Sequence, residues 1–214
     1  LFVMTLPFSQ ALVSIAAGIL LLVAITEDSL KNKRERLKRN KILLLLPAIY
    51  LIYILSAVFS LPLKNSFYDL NKAMFFLVIP VAFIFGKQIS AHQKRIVFFG
   101  FVTAILISTI VAFLKWKFTP VVTNFSVHKI SLISHIRFSF QLIMGFWFLV
   151  FFMHTNFNRI KTPTLLLLAL IAVYLVSFLL FQQSLTGLVA FFSSMVFYLI
   201  FLFFKTNGQI KLVF

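Results

Sequence analysis

The side chains in this sequence best equipped for chemistry surround Arg137, with His135 two residues before it and Ser139 and Gln141 just after. A guanidinium presents a planar fork of donors that fits a phosphate, an ammonium adds a mobile point charge, and hydroxyls or amides complete the shell. The stretch Lys115–Arg137 supplies further material for such a shell in Lys115, Lys117, His128 and Lys129. A second polar stretch, Gln182-Gln183-Ser184-Leu185-Thr186-Gly187, interrupts an otherwise apolar run. A third, Pro62–Asn71, carries Lys64, Asn65, Ser66 and Asp69 and is followed by Lys72. Together these residues point to the binding of an anion. A metal held by carboxylates lacks its ligands here, since Asp69 is the sole acid in the three stretches. With no cysteine in the chain, disulfides, thiol catalysis and cysteine-ligated metals are excluded. No cofactor is expected.

Simpler roles stand beside the chemical ones. Arg137 equally fits an arginine that snorkels to a membrane interface. His135 is also readable as a solvated loop residue; in a helix it points away from Arg137, whereas an extended segment puts both on one side. The Gln182–Gly187 stretch equally fits a tight turn, with Gly187 supplying backbone freedom. Lys72 either snorkels or faces a polyanionic headgroup.

The elements that must position these groups are apolar. Ile42–Leu61, Ala73–Gly86, Ile96–Leu114, Phe138–Met153, Thr164–Phe181 and Leu188–Phe204 contain no Asp, Glu, Lys, Arg or His. Hydrophobic residues make up 62% of the chain, and its mean hydropathy is +1.07. A soluble domain carries roughly 45–50% apolar residues. These runs are apolar on every side, unlike the alternating strands of a membrane barrel. Counting Gln10–Ile25, the pattern predicts an all-α, polytopic transmembrane bundle of about seven spans. It forms one transmembrane domain over residues 1–214, with Leu1–Phe8 as the tail of an earlier apolar segment. Because the last residues turn apolar again, the chain reads as a piece of a longer protein.

The formal charge of +16 is explained by the membrane rather than by nucleic acid, for which no motif is present. Lys and Arg concentrate in Thr26–Lys41, Lys87–Arg95, His154–Pro163 and Lys205–Phe214. Only Lys64, Lys72, Lys115, Lys117, Lys129 and Arg137 fall on the other side. The positive-inside rule makes the first group cytoplasmic and turns the three polar stretches outward. Pro47 and Pro80 are expected to kink their spans. Trp116, Tyr68, Trp147 and Tyr174 are expected to include interface anchors.

Three segments carry a family resemblance. Tyr50–Pro80, with Ser56, Ser60, Lys64-Asn65, Leu70-Asn71-Lys72 and Pro80, resembles the early helices of bacterial O-antigen ligase and polymerase-like membrane proteins. Ser134-His135-Ile136-Arg137-Phe138-Ser139 resembles that family's outward loop leading into a span. Gln183-Ser184-Leu185-Thr186-Gly187-Leu188 is similar to its Ser-Arg-Thr-Gly-like turn, with Leu185 where many members have arginine. The resemblance implies metal-independent glycosyl transfer on the periplasmic face of the bacterial inner membrane. The donor would be a glycan on a polyprenyl diphosphate, and the acceptor a sugar hydroxyl on lipid A-core or another glycan. It further implies Arg137 and His135 as catalytic residues, and Lys72, Lys129, Ser139, Gln141, Ser184 and Thr186 as substrate contacts. The family's histidine from a large late periplasmic loop would lie beyond Phe214. The alternatives are a lipid-linked glycan flippase or other transporter, and a structural membrane subunit. Ion-coupled transport usually places carboxylates or histidines within the spans, and these spans hold none.

Overall fold

The computed structural model describes residues 2–27, 29–39, 44–59, 70, 73–87, 89–118 and 131–206. Regular structure among them is helical: α1 (Phe2–Thr5), α2 (Gln10–Thr26), α3 (Leu30–Arg39), α4 (Leu45–Phe59), α5 (Phe75–Phe85), α6 (Ala91–Phe118), α7 (His135–Asn156), α8 (Thr162–Gln182) and α9 (Leu185–Thr206), with a short 3-10 turn at Phe157–Arg159. Four helices are long and apolar enough to cross a membrane, namely α6, α7 with the turn that follows it, α8, and α9 as far as Phe204. Large apolar side chains stay exposed along them, among them Ile107, Ile110, Phe151, Leu166, Leu170, Val173, Val189 and Phe197. Such a belt is stable against hydrocarbon and costly in water. The chain is therefore a multi-pass helical membrane protein. Helices α2, α4 and α5 are shorter, at 17, 15 and 11 residues.

Two compact units divide the chain, the first made of Leu1–Leu6 with Gln10–Ile96, the second of Pro7–Ser9 with Val97–Phe214. In the first, α5 packs against α2, α3 and α4. Small buried residues, Ala16, Ala17 and Ala24 on α2 and Ala82 on α5, line their helices, and small side chains let backbones approach closely. Helix α3 falls in Thr26–Lys41, which the charge pattern presents as a loop. Its Lys, Arg and Glu residues are good helix formers, and two of its cations are anchored. Lys33 donates to the Ile25 carbonyl at the end of α2, and Arg36 donates to the Phe85 and Gly86 carbonyls at 2.8 and 2.7 Å. The last carbonyls of a helix lack intrahelical donors and carry its negative dipole end, so cations are favoured there. Pro47 lies in the first turn of α4, where its missing N–H has no intrahelical partner to lose, so it need not kink that helix. Pro80 lies inside α5 and is buried.

In the second unit α6, α7 and α8 meet around Gly145, where an added Cβ would stand 3.0 Å from Ile105 Cδ1 and 3.3 Å from Leu175 Cδ1. Phe101, Ile105, Phe138, Leu142, Leu149, Leu175 and Leu179 form the buried core. Trp147 and Tyr174 depart from their expected place as interface anchors. The Trp147 indole donates to Ser194 Oγ at 2.8 Å, and the Tyr174 hydroxyl donates to Thr109 Oγ1 at 3.1 Å. Both residues lie midway along their helices, where a polar group away from water needs an interhelical partner. Trp116 sits in the last turn of α6, edge-on to Phe181 at 5.3 Å.

Candidate anion-binding site

One end of the second unit gathers the last turn of α6, the start of α7, the end of α8 and the start of α9. Lys115 and Lys117, expected in a loop, occupy the final turn of α6, where their charge suits the helix dipole. Helix α7 begins at His135, so His135 and Arg137 are both helical. Two residues of helix turn a side chain by about 200°, which separates the two and answers the alternative left by the sequence. Helix geometry instead pairs residues four apart. His135 shares a face with Ser139, and Arg137 shares the other with Gln141.

The Ser139 face is a packing face. Ser139 and Ser184, at 0% and 1% exposure, approach each other at 3.1 Å between hydroxyl oxygens. The hydrogen bonds form a consistent relay. The Gly187 N–H donates to Ser184 Oγ at 3.4 Å, the Ser184 hydroxyl can donate to Ser139, and Ser139 donates to the Ile136 carbonyl at 2.8 Å. Ser184 thereby serves as the N-cap of α9, reaching the amide three residues on. Gly187 is needed for space rather than backbone freedom. It is helical, and an added Cβ would fall 2.5 Å from Ser139 Cβ and 2.6 Å from its Oγ. The turn's left-handed residue is Gln183, at φ 53°.

Gln182, 2% exposed, closes the same junction by donating from Nε2 to the His135 carbonyl at 3.2 Å. Its Oε1 is buried with no hydrogen-bond partner among the described residues. Gln182 was visible in the sequence only as part of a polar break; a glutamine closing a long apolar run was its one signal. Arg137 is exposed in the first turn of α7, Thr186 is exposed in the first turn of α9, and Gln141 is half-buried one turn below Arg137. Lys72 and Lys129 lie outside the described residues, as do His128 and the outer stretch around Lys64 and Asp69. Among the described residues, no group of three His, Cys, Asp or Glu is placed to hold a metal ion.

The arrangement offers an exposed guanidinium beside the amides of a helix N-terminus, with an amide and a hydroxyl on neighbouring turns. That combination suits a phosphate-bearing ligand. Compared with known proteins, the chain matches no family model, no curated protein and no solved structure.

Proposed function

We propose that this chain is the membrane part of a glycosyltransferase of the O-antigen ligase or polymerase type in the bacterial inner membrane, with about seven spans and the Arg137 end facing the periplasm. One observation carries the reading. Two of the segments that resemble the family, 134–139 and 183–188, are joined through the buried Ser139–Ser184 contact beside an exposed Arg137.

In the proposed reaction an acceptor sugar hydroxyl attacks the anomeric carbon of the donor glycan. The new glycosidic bond forms as the bond to the polyprenyl diphosphate breaks. Arg137 bears the negative charge that develops on the leaving diphosphate, aided by the N-terminal amides of α7, which is stabilisation of a kind realised only as the bond breaks. Gln141 and Thr186 stand as ligand contacts, with Lys72 and Lys129 as further cations. Ser139, Ser184 and Gln182 act as positioning residues, because their side chains are occupied in joining the helices. The hydroxyl proton passes to a general base, a role the resemblance gives to a histidine of a late periplasmic loop rather than to His135, which helix α7 turns away from Arg137.

The test is turnover of lipid-linked glycan by the full-length protein in membranes. Arg137→Ala is expected to lower transfer on the order of 10²–10³-fold at an unchanged membrane level. Arg137→Lys should recover part of it, since a point charge lacks the bidentate fork. Undiminished transfer in Arg137→Ala would remove this residue from the mechanism. Movement of the lipid carrier across the bilayer without transfer would point to a flippase instead.

A further inference from the structure

Helix α3 divides five of its cations between two faces. Lys33, only 6% exposed, and Arg36 turn inward to the carbonyls that end α2 and α5. Lys31, Arg34 and Lys38 are exposed, and their spacing of three and four residues puts them on one side of the helix, away from Lys33 and Arg36. Glu35, also exposed and the sole acid of the helix, stands four residues from Lys31 and three from Lys38 on that same side, so it offsets one of the three charges and the face stays cationic. Two residues, Leu30 and Leu37, are the only apolar ones, too few to bury α3 in hydrocarbon. The helix nevertheless forms, bent by 112° from the direction of α2.

That angle sets the tilt of α3. Helix α2 has 17 residues and α5 has 11, giving lengths of about 25 and 16 Å at 1.5 Å per residue. The hydrocarbon layer is about 30 Å thick, and the headgroups bring the total to about 40–45 Å. With α2 upright in the bilayer, a helix bent by 112° from it runs nearly parallel to the surface, and its charged residues favour the headgroup layer over hydrocarbon.

We propose that the Lys31–Arg34–Lys38 face of α3 is a binding surface for anionic phospholipid headgroups of the inner leaflet. The proposal rests on α2 crossing the bilayer with Thr26 at its cytoplasmic end, and is independent of any glycosyl transfer. The inward pair fixes the helix, leaving the outward three to meet lipid phosphates. An anchored helix binds at a smaller entropic cost, because its backbone is already ordered. Arg34 and its neighbours act as electrostatic contacts rather than inserted anchors, so the attraction must weaken with salt.

The experiment uses the full chain in mild detergent, titrated with phosphatidylglycerol and separately with phosphatidylcholine, with bound lipid counted by native mass spectrometry. Phosphatidylglycerol is expected to bind about tenfold more tightly than phosphatidylcholine. The triple variant Lys31→Gln, Arg34→Gln, Lys38→Gln, which keeps good helix formers at each position, should lose most of that preference with unchanged circular dichroism. The unaltered chain should itself lose the preference as salt rises from about 0.05 to 0.5 M. Equal binding of the two lipids, a preference retained by the triple variant, or one indifferent to salt would overturn the proposal. A cysteine at Asn32, reacted with an impermeant thiol reagent, tests the placement separately. Labelling only in inside-out vesicles supports it; labelling from outside intact cells overturns the inner-leaflet site together with the threading of α2, even where a lipid preference persists.

Discussion

Space, more than hydrogen-bonding chemistry, governs the junction beneath Arg137. An alanine Cβ at Gly187 would need Ser139 to move, because the 2.5 Å approach to its Cβ is far inside van der Waals contact. Gly187→Ala is therefore expected to cost about 1–3 kcal/mol, seen as a lower unfolding midpoint in detergent, and to weaken the proposed glycan transfer by displacing the α9 turn. Gly18→Ala is the internal control. Among the described residues nothing lies within 4 Å of a Cβ at Gly18, and alanine is the better helix former, so stability should hold or rise slightly. Equal losses in both variants would show that the Ser139 contact is not what makes Gly187 necessary. The same contact explains why Ser139 and Ser184, chosen from the sequence for their hydroxyls, divide from Arg137 and Gln141: a helix cannot point adjacent alternate residues at one ligand.

At the scale of elements, the apolar runs located the helices, while the polar ones concealed structure. Phe138–Met153 and Thr164–Phe181 became α7 and α8, α7 longer by three residues at each end and α8 by two and one, because backbone hydrogen bonding continues past the hydrocarbon boundary. Helix α3 could not be read the same way. With Leu30 and Leu37 as its only apolar residues it has no apolar stripe, and what holds it is long-range, the bond from Arg36 to carbonyls of residues 85 and 86. Nothing local in the sequence signals such a partner. The loss of these bonds in Arg36→Gln is expected to destabilise the first unit by about 1–3 kcal/mol, measured as faster proteolysis within 26–39 and a lower unfolding midpoint; an unchanged chain would mean that α3 is held by other contacts. The candidate site was legible in part. The residue types at Arg137, Ser139 and Ser184 were plain, but their sorting between packing and exposure depended on where α7 starts, and Gln182 acquired its role only when α8 came to rest against the His135 carbonyl.

For the whole molecule, the distribution of charge over the apolar helices is what the proposed threading rests on. Arg36 ties the 26–39 segment to the end of α5 within the first unit. In the second unit, Trp116, Phe181, Gln182, Ser184 and His135 gather at the end opposite the Phe98, Phe99 and Phe152 rings. The proposed chemistry requires that the Arg137 end meet the outside. Because the chain has no cysteine, a single one introduced at Ser134, exposed just before α7, reports on that end without background. An impermeant thiol reagent added to intact cells, with the outer membrane opened, should label Ser134→Cys as fully as it does after lysis. Labelling only once the cytoplasm is exposed would contradict the account at its root.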